Sequence, residues 1–122
     1  MPKIIIIEDD RTMQSLLTTL LEMEGYQVVN SQQNELSACL AAIKQEKPDL
    51  AFIDINLKFG SGLDLLRSIR MDEQIKTTHV LMSSGLNYRD ECNRAGADGF
   101  LLKPYMPDDL IQSIRKILNS KI

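Results

Sequence analysis

Seven polar residues of this 122-residue chain stand just beyond the ends of apolar runs. Glu8, Asp9 and Asp10 follow Ile4–Ile7. Asp54 follows Leu50–Ile53, with Asn56 two places on. Ser84 comes soon after Val80–Met82, and Lys103 follows Phe100–Leu102. Carboxylates gathered within about 4 Å repel by roughly 4 kcal/mol per pair at an effective dielectric near 20, so such a set calls for a compensating positive charge. Oxygen-only donors favour a hard cation. Mg²⁺, which keeps several waters and takes one or two protein carboxylates, fits best. Zinc finds no nitrogen or sulfur ligand here, because the sole histidine, His79, precedes its apolar run and reads as an ordinary surface residue. Asp54, alone at the end of its run, is the carboxylate placed to act as a nucleophile, and aspartate nucleophiles accept phosphoryl groups. Phosphoryl transfer would use the rest: Mg²⁺ to neutralise equatorial oxygens, Lys103 as a compact positive charge, Ser84 as a hydrogen-bond donor. Taken singly, each residue has a plainer explanation. Asp9 could cap a helix, Lys103 could be solvated or paired with a capping acid, and Ser84 could simply end a strand. Taken together, after four different apolar runs, they imply a site.

The elements that would position these groups follow from periodicity. Lys3–Ile7, short and β-branched, predicts a strand buried on both faces. Met13, Leu16, Leu17, Leu20 and Leu21 recur at helical spacing over Arg11–Glu24, and Gly25 suits a C-terminal cap. Gln27–Asn30 is less apolar and predicts an edge strand. Leu36, Cys39, Leu40 and Ile43 mark a second helix, with Asn34 as a cap and Pro48 preventing continuation past Lys47. A third strand runs over Leu50–Ile53, and after the break at Gly60-Ser61-Gly62 a third helix carries Leu63, Leu66 and Ile69 to about Arg70. Val80–Met82 predicts strand four and Phe100–Leu102 strand five, with a short helix from about Arg89 to Ala95 between them. Leu110, Ile111, Ile114, Ile117 and Leu118 line a last helix whose first turn holds Pro107, Asp108 and Asp109; Met106 before it is a poor cap.

Five strands alternating with five helices predict a single α/β domain over residues 1–122, a doubly wound parallel sheet of flavodoxin-like order 2-1-3-4-5. The carboxyl ends of all strands in such a sheet lie along one edge, which is where the polar residues fall. Composition narrows the classes further. With 43% hydrophobic and 25% charged residues the chain reads as a soluble globular protein, and a net charge of −3 with scattered basic residues speaks against nucleic-acid binding. Ile4–Ile7 is far shorter than a membrane span, and Met1-Pro2-Lys3 has no signal-peptide pattern, so a cytoplasmic protein without membrane contact is expected. Cys39 and Cys92 fit no metal spacing and sit in apolar patterns, which predicts buried reduced thiols.

The chain resembles the receiver domain of bacterial two-component response regulators along nearly its whole length. The resemblance rests on Ile4-Ile5-Ile6-Ile7-Glu8-Asp9-Asp10, Phe52-Ile53-Asp54-Ile55-Asn56-Leu57, Gly62-Leu63-Asp64-Leu65-Leu66, and the run from Ala95 through Lys103-Pro104-Tyr105. It implies that Asp54 is the phosphoacceptor and Asp9 a direct Mg²⁺ ligand, with Glu8 acting through water and the Asn56 carbonyl as a further ligand. It also implies that Ser84 and Lys103 contact the phosphoryl group, that Pro104 follows a cis bond, and that Phe100 is a switch aromatic. The segment from Ser84 to Lys103 is a few residues shorter than usual for that family, which predicts a short fourth helix.

The implied function is a phosphorylation switch in a His–Asp phosphorelay. A sensor histidine kinase or histidine phosphotransfer protein would be the donor, a downstream protein the target, and the chain would catalyse only its own phosphorylation and dephosphorylation. The alternative is a pseudo-receiver that binds partners regardless of phosphorylation. A flavin-binding protein of similar fold is a third reading. It finds no Thr/Ser-rich loop after strand one and no tryptophan.

Overall fold

The computed structural model describes residues 1–31 and 34–119. Lys3–Ile7 forms β1, Gln27–Asn30 β2, Leu50–Asp54 β3, His79–Ser84 β4 and Gly99–Leu102 β5. All pair in parallel, in the order β2-β1-β3-β4-β5. Helices α1 (Arg11–Met23), α2 (Leu36–Glu46), α3 (Gly62–Met71), α4 (Arg89–Arg94) and α5 (Pro107–Leu118) alternate with them. This is the flavodoxin-like architecture expected from the sequence.

Successive residues of a strand point to opposite faces, and here both faces are covered. Ile5, Ile7, Ala51, Ile53, Val80 and Met82 pack with Cys39 and Ile43 of α2, Leu65, Leu66 and Ile69 of α3, and Cys92 of α4. Ile4, Ile6, Leu50, Phe52 and Leu81 pack on the other face with Leu17 and Leu21 of α1 and Leu110, Ile114 and Ile117 of α5. Neither Ile4–Ile7 of β1 nor any part of β3 can alternate polar with apolar residues, because every one of these positions is buried. Both cysteines are buried free thiols. No helix among the described residues is long and apolar enough to cross a bilayer.

Several local details differ from the sequence reading. Asp10, not Asp9, caps α1, its carboxylate accepting the Met13 N–H at 3.0 Å. Asn34 does not cap α2; Glu35 holds the N-cap position and its side chain makes no cap hydrogen bond. Strand β4 starts one residue earlier than predicted and ends two later, because Ser83 and Ser84 keep the ladder going, opposite Asp54 on one side and Leu101 and Leu102 on the other. The loop after Asp54 contains a two-residue antiparallel ladder, Asn56–Leu57 with Gly60–Ser61, which periodicity does not reveal. At α5 the Asp109 carboxylate reaches back to the Met106 N–H at 3.2 Å, which compensates for the methionine at the cap. Gly25 adopts φ +90° beyond α1, as the predicted terminator should.

Candidate functional site

The carboxyl edge of the sheet brings Glu8, Asp54, Ser84 and Lys103 together from four adjacent strands. Parallel pairing sets Ile7 beside Ile53, Asp54 beside Ser83, and Ser84 beside Leu102, so the residues ending these strands share one edge. Lys103 Nζ donates to Asp54 Oδ2 at 3.0 Å and lies 3.4 Å from Glu8 Oε1. The other Asp54 oxygen, Oδ1, accepts the Asn56 N–H at 3.1 Å. Asp54 and Glu8 are each only 7% exposed, so an ammonium between them offsets both their desolvation and their mutual repulsion.

Burial pushes the Glu8 carboxyl above its usual range; the Asp54 charge adds to this, while the Asp10 N–H and the Lys103 ammonium oppose it. Burial works against a charged Lys103, yet hydrogen bonding and attraction from Asp54 and Glu8 together hold its ammonium above the ordinary lysine value. The site is therefore a tight ion triad.

Ser84 is fully buried. Its hydroxyl donates to Asn56 Oδ1 at 2.8 Å and accepts the Leu86 N–H at 3.1 Å. Lys103 N donates to the Ser84 carbonyl at 2.8 Å, which fixes the ends of β4 and β5 against each other. Phe100 is 5% exposed, and the Arg89 guanidinium carbon lies 5.4 Å from its ring centroid. The Lys103–Pro104 bond is cis.

Asp9 stands apart from the triad. Its Oδ2 accepts the Lys58 N–H of the loop after β3, while Asp10 is occupied in capping α1. Among the described residues no three side chains of Asp, Glu, His and Cys converge as a ready cation cage. The donor chemistry still fits a hard cation: Glu8, Asp9 and Asp54 offer carboxylate oxygens and Asn56 offers amide oxygens. His79 begins β4 at the opposite edge, 3.6 Å from Asp98 through Nδ1.

Three further participants complete the site, two of which escape a reading of residue types. The Asn56 side chain serves as acceptor for Ser84, whereas the sequence suggests only its carbonyl. Gln14 of α1 donates through Nε2 to the Glu8 carbonyl and so ties the helix to the acidic loop. Gly62 is required by close approach: a Cβ there would lie 2.3 Å from the Asp54 carbonyl oxygen and 2.9 Å from Ile55 Cα. The Gly60-Ser61-Gly62 break signals the last of these; the first two depend on tertiary placement.

Comparison with known proteins agrees with this geometry. The model of the response regulator receiver domain matches residues 4–115. The transcriptional regulatory protein CpxR of Escherichia coli (strain K12) is 34% identical over 123 residues, covering 97% of this chain and 50% of CpxR. The chain thus spans about half the length of that relative. The chemotaxis protein CheY-3 of Vibrio cholerae is 32% identical over 118 residues, with 94% of this chain and 90% of CheY-3 covered. Among solved structures, the receiver domain of a sensor histidine kinase from Pseudomonas aeruginosa PAO1, with a magnesium ion coordinated in its active site cleft, has the same fold. Its TM-score is 0.83 at 21% identity, over 96% of this chain and 97% of that one. The parallel sheet, the acids at its carboxyl edge and the match over nearly the full length lead to one assignment: the chain belongs to the response regulator receiver domain family.

Proposed function

We propose that the chain is the phosphoacceptor of a two-component His–Asp relay and that phosphorylation of Asp54 switches a protein-interaction surface. The observation that carries this reading is the setting of Asp54. It is buried at the end of a central strand, with each oxygen held by one donor and the Lys103 ammonium 3.0 Å away. A phosphohistidine on a sensor histidine kinase or histidine phosphotransfer protein is the donor. An Asp54 oxygen bonds to phosphorus as the phosphorus–nitrogen bond breaks, and the electron pair leaves with the imidazole nitrogen. Lys103 supplies positive charge to the phosphoryl oxygens, and Ser84 exchanges Asn56 for one of them as acceptor of its proton. Glu8, Asp9, Asp54 and the Asn56 carbonyl would hold Mg²⁺, which when bound neutralises charge on the transferred group. The magnesium in the related cleft supports that cofactor.

In this reading residues 1–122 act as one cytoplasmic domain that touches neither nucleic acid nor membrane itself. It turns over no separate substrate and catalyses only the gain and hydrolytic loss of its own phosphoryl group. The added charge of about −1.5 to −2 is the signal, read by a downstream protein through the rearranged ends of β4 and β5.

Intact mass after incubation with acetyl phosphate and Mg²⁺ tests the proposal. A single phosphoryl adduct is expected, lost with excess chelator and absent from Asp54→Asn. An adduct that persists in Asp54→Asn, or no adduct from either acetyl phosphate or a phosphohistidine donor, would overturn it.

A further inference from the structure

Helix α4 has six residues, a single buried side chain in Cys92, and no side-chain cap at Tyr88. So short a helix is held in place by few contacts. One of the others is Arg89, an exposed residue of its first turn whose guanidinium covers the buried Phe100 ring. Two local hydrogen bonds lead from Ser84 to Tyr88, the residue before that arginine, and a separate one holds the arginine amide. Leu86 N donates to Ser84 Oγ at 3.1 Å, Tyr88 N to the Leu86 carbonyl at 3.0 Å, and Arg89 N to Asn87 Oδ1 at 3.1 Å. The Ser84 hydroxyl and the residue that precedes α4 are thus joined through Leu86.

We propose that Arg89 is a positioning residue that pins Phe100 in its buried rotamer and couples that rotamer to the Ser84 loop. The pinning stands on the contact alone; the coupling rests on the function proposed above. Two cavities of about 430 and 350 Å³ flank Arg89, and both also take in Phe100, Ser113 and Lys116. Withdrawal of the guanidinium from the ring joins them into one groove across β5, so the state of Ser84 is displayed as a change of surface shape between α4 and α5.

Fluorinated phenylalanine reads this directly, since the chain has only three phenylalanines, and loss of one line in Phe100→Leu assigns the third. Without any phosphoryl compound, Arg89→Ala and Arg89→Gln are expected to move the Phe100 line toward a solvent-exposed environment. The exposed population should rise roughly 2- to 5-fold, the range set by a cation–π contact at an exposed site, and Arg89→Lys should restore part of the shift. An unchanged line in Arg89→Ala would overturn the pinning. Beryllium trifluoride with Mg²⁺ then tests the coupling: it should move the Phe100 line in the wild type and move it by less than half as much in Arg89→Ala. Equal movement in both would overturn the coupling. A wild-type protein that takes up no beryllium trifluoride, with the Arg89→Ala shift intact, would overturn the function proposed for Asp54 and the coupling that rests on it, and leave the pinning standing.

Discussion

Lys103 and Gly62 govern the acidic pocket in opposite ways, one by what it adds and one by what it lacks. The Lys103 ammonium lets two nearly buried carboxylates, Glu8 and Asp54, share one low-dielectric edge. At Gly62 even a methyl group has no room, because the obstacle is the backbone of Asp54 and Ile55 rather than a side chain that could swing away. Gly62→Ala is therefore expected to destabilise the protein by about 1–3 kcal/mol, the range for overpacking a close contact, and to slow adduct formation by displacing Asp54. Urea denaturation and the rate of mass gain with acetyl phosphate measure the two effects; unchanged values for both would show that the loop yields. At this scale much of the pocket is legible in the sequence. Glu8, Asp54, Ser84 and Lys103 were readable from their places just beyond the apolar runs. The Asn56 side chain on Ser84 and the Lys58 amide on Asp9 were not, since each depends on how the loop after β3 folds back.

Among the elements, α1 carries the largest local obligation to the site, because its first turn begins within the acidic loop. Asp10 accepts the Met13 N–H, and Gln14, one turn into the helix, donates to the Glu8 carbonyl. Asp10→Ala should cost about 1 kcal/mol through the lost cap, read as a lower urea midpoint, while leaving phosphoryl uptake in place because the Asp10 carboxylate is engaged in capping α1 and its N–H, which donates to Glu8, is kept in alanine. Loss of uptake in that variant would mean that Asp10 belongs to the site. Strand cores were the most legible elements, since burial on both faces leaves uninterrupted aliphatic runs such as Ile4–Ile7. Ends were less so. Ser83 and Ser84 look like loop residues, yet a ladder is made by the backbone and accepts any side chain that finds a partner. The cap of α2 differs from expectation for a related reason: Asn34 is a good cap type, but the chain enters the helix one residue later, at Glu35.

For the molecule as a whole, burial sets an alkaline limit. It pushes the Cys92 thiol up to about 11, with the charge of Glu91 adding to this, and the Tyr105 hydroxyl up to about 12. Both groups are neutral when protonated, and unfolding would release them to ionise near their ordinary values of 9 and 10. The unfolded chain then binds fewer protons than the folded one between those limits, so stability is unaffected by these groups below about pH 9 and falls as the pH rises toward 12. A urea midpoint that stays level from pH 8 to 11 would contradict this.

The division of the interior by the sheet has a further consequence, for how damage accumulates. Leu66 and Ile114 belong to separate packed clusters, one on each face, with the strand backbones between them. Leu66→Ala and Ile114→Ala should each cost about 2–5 kcal/mol, and their costs should sum within about 0.5 kcal/mol in the double variant. Leu66→Ala with Ile69→Ala, on one face, should depart from the sum, since the cavities share walls. Ile6 and Ile7 are consecutive in the chain but belong to different energetic neighbourhoods. Damage on the two faces is thus independent in size but subtracts from one global stability, so a chain weakened on one face has that much less tolerance for a change on the other.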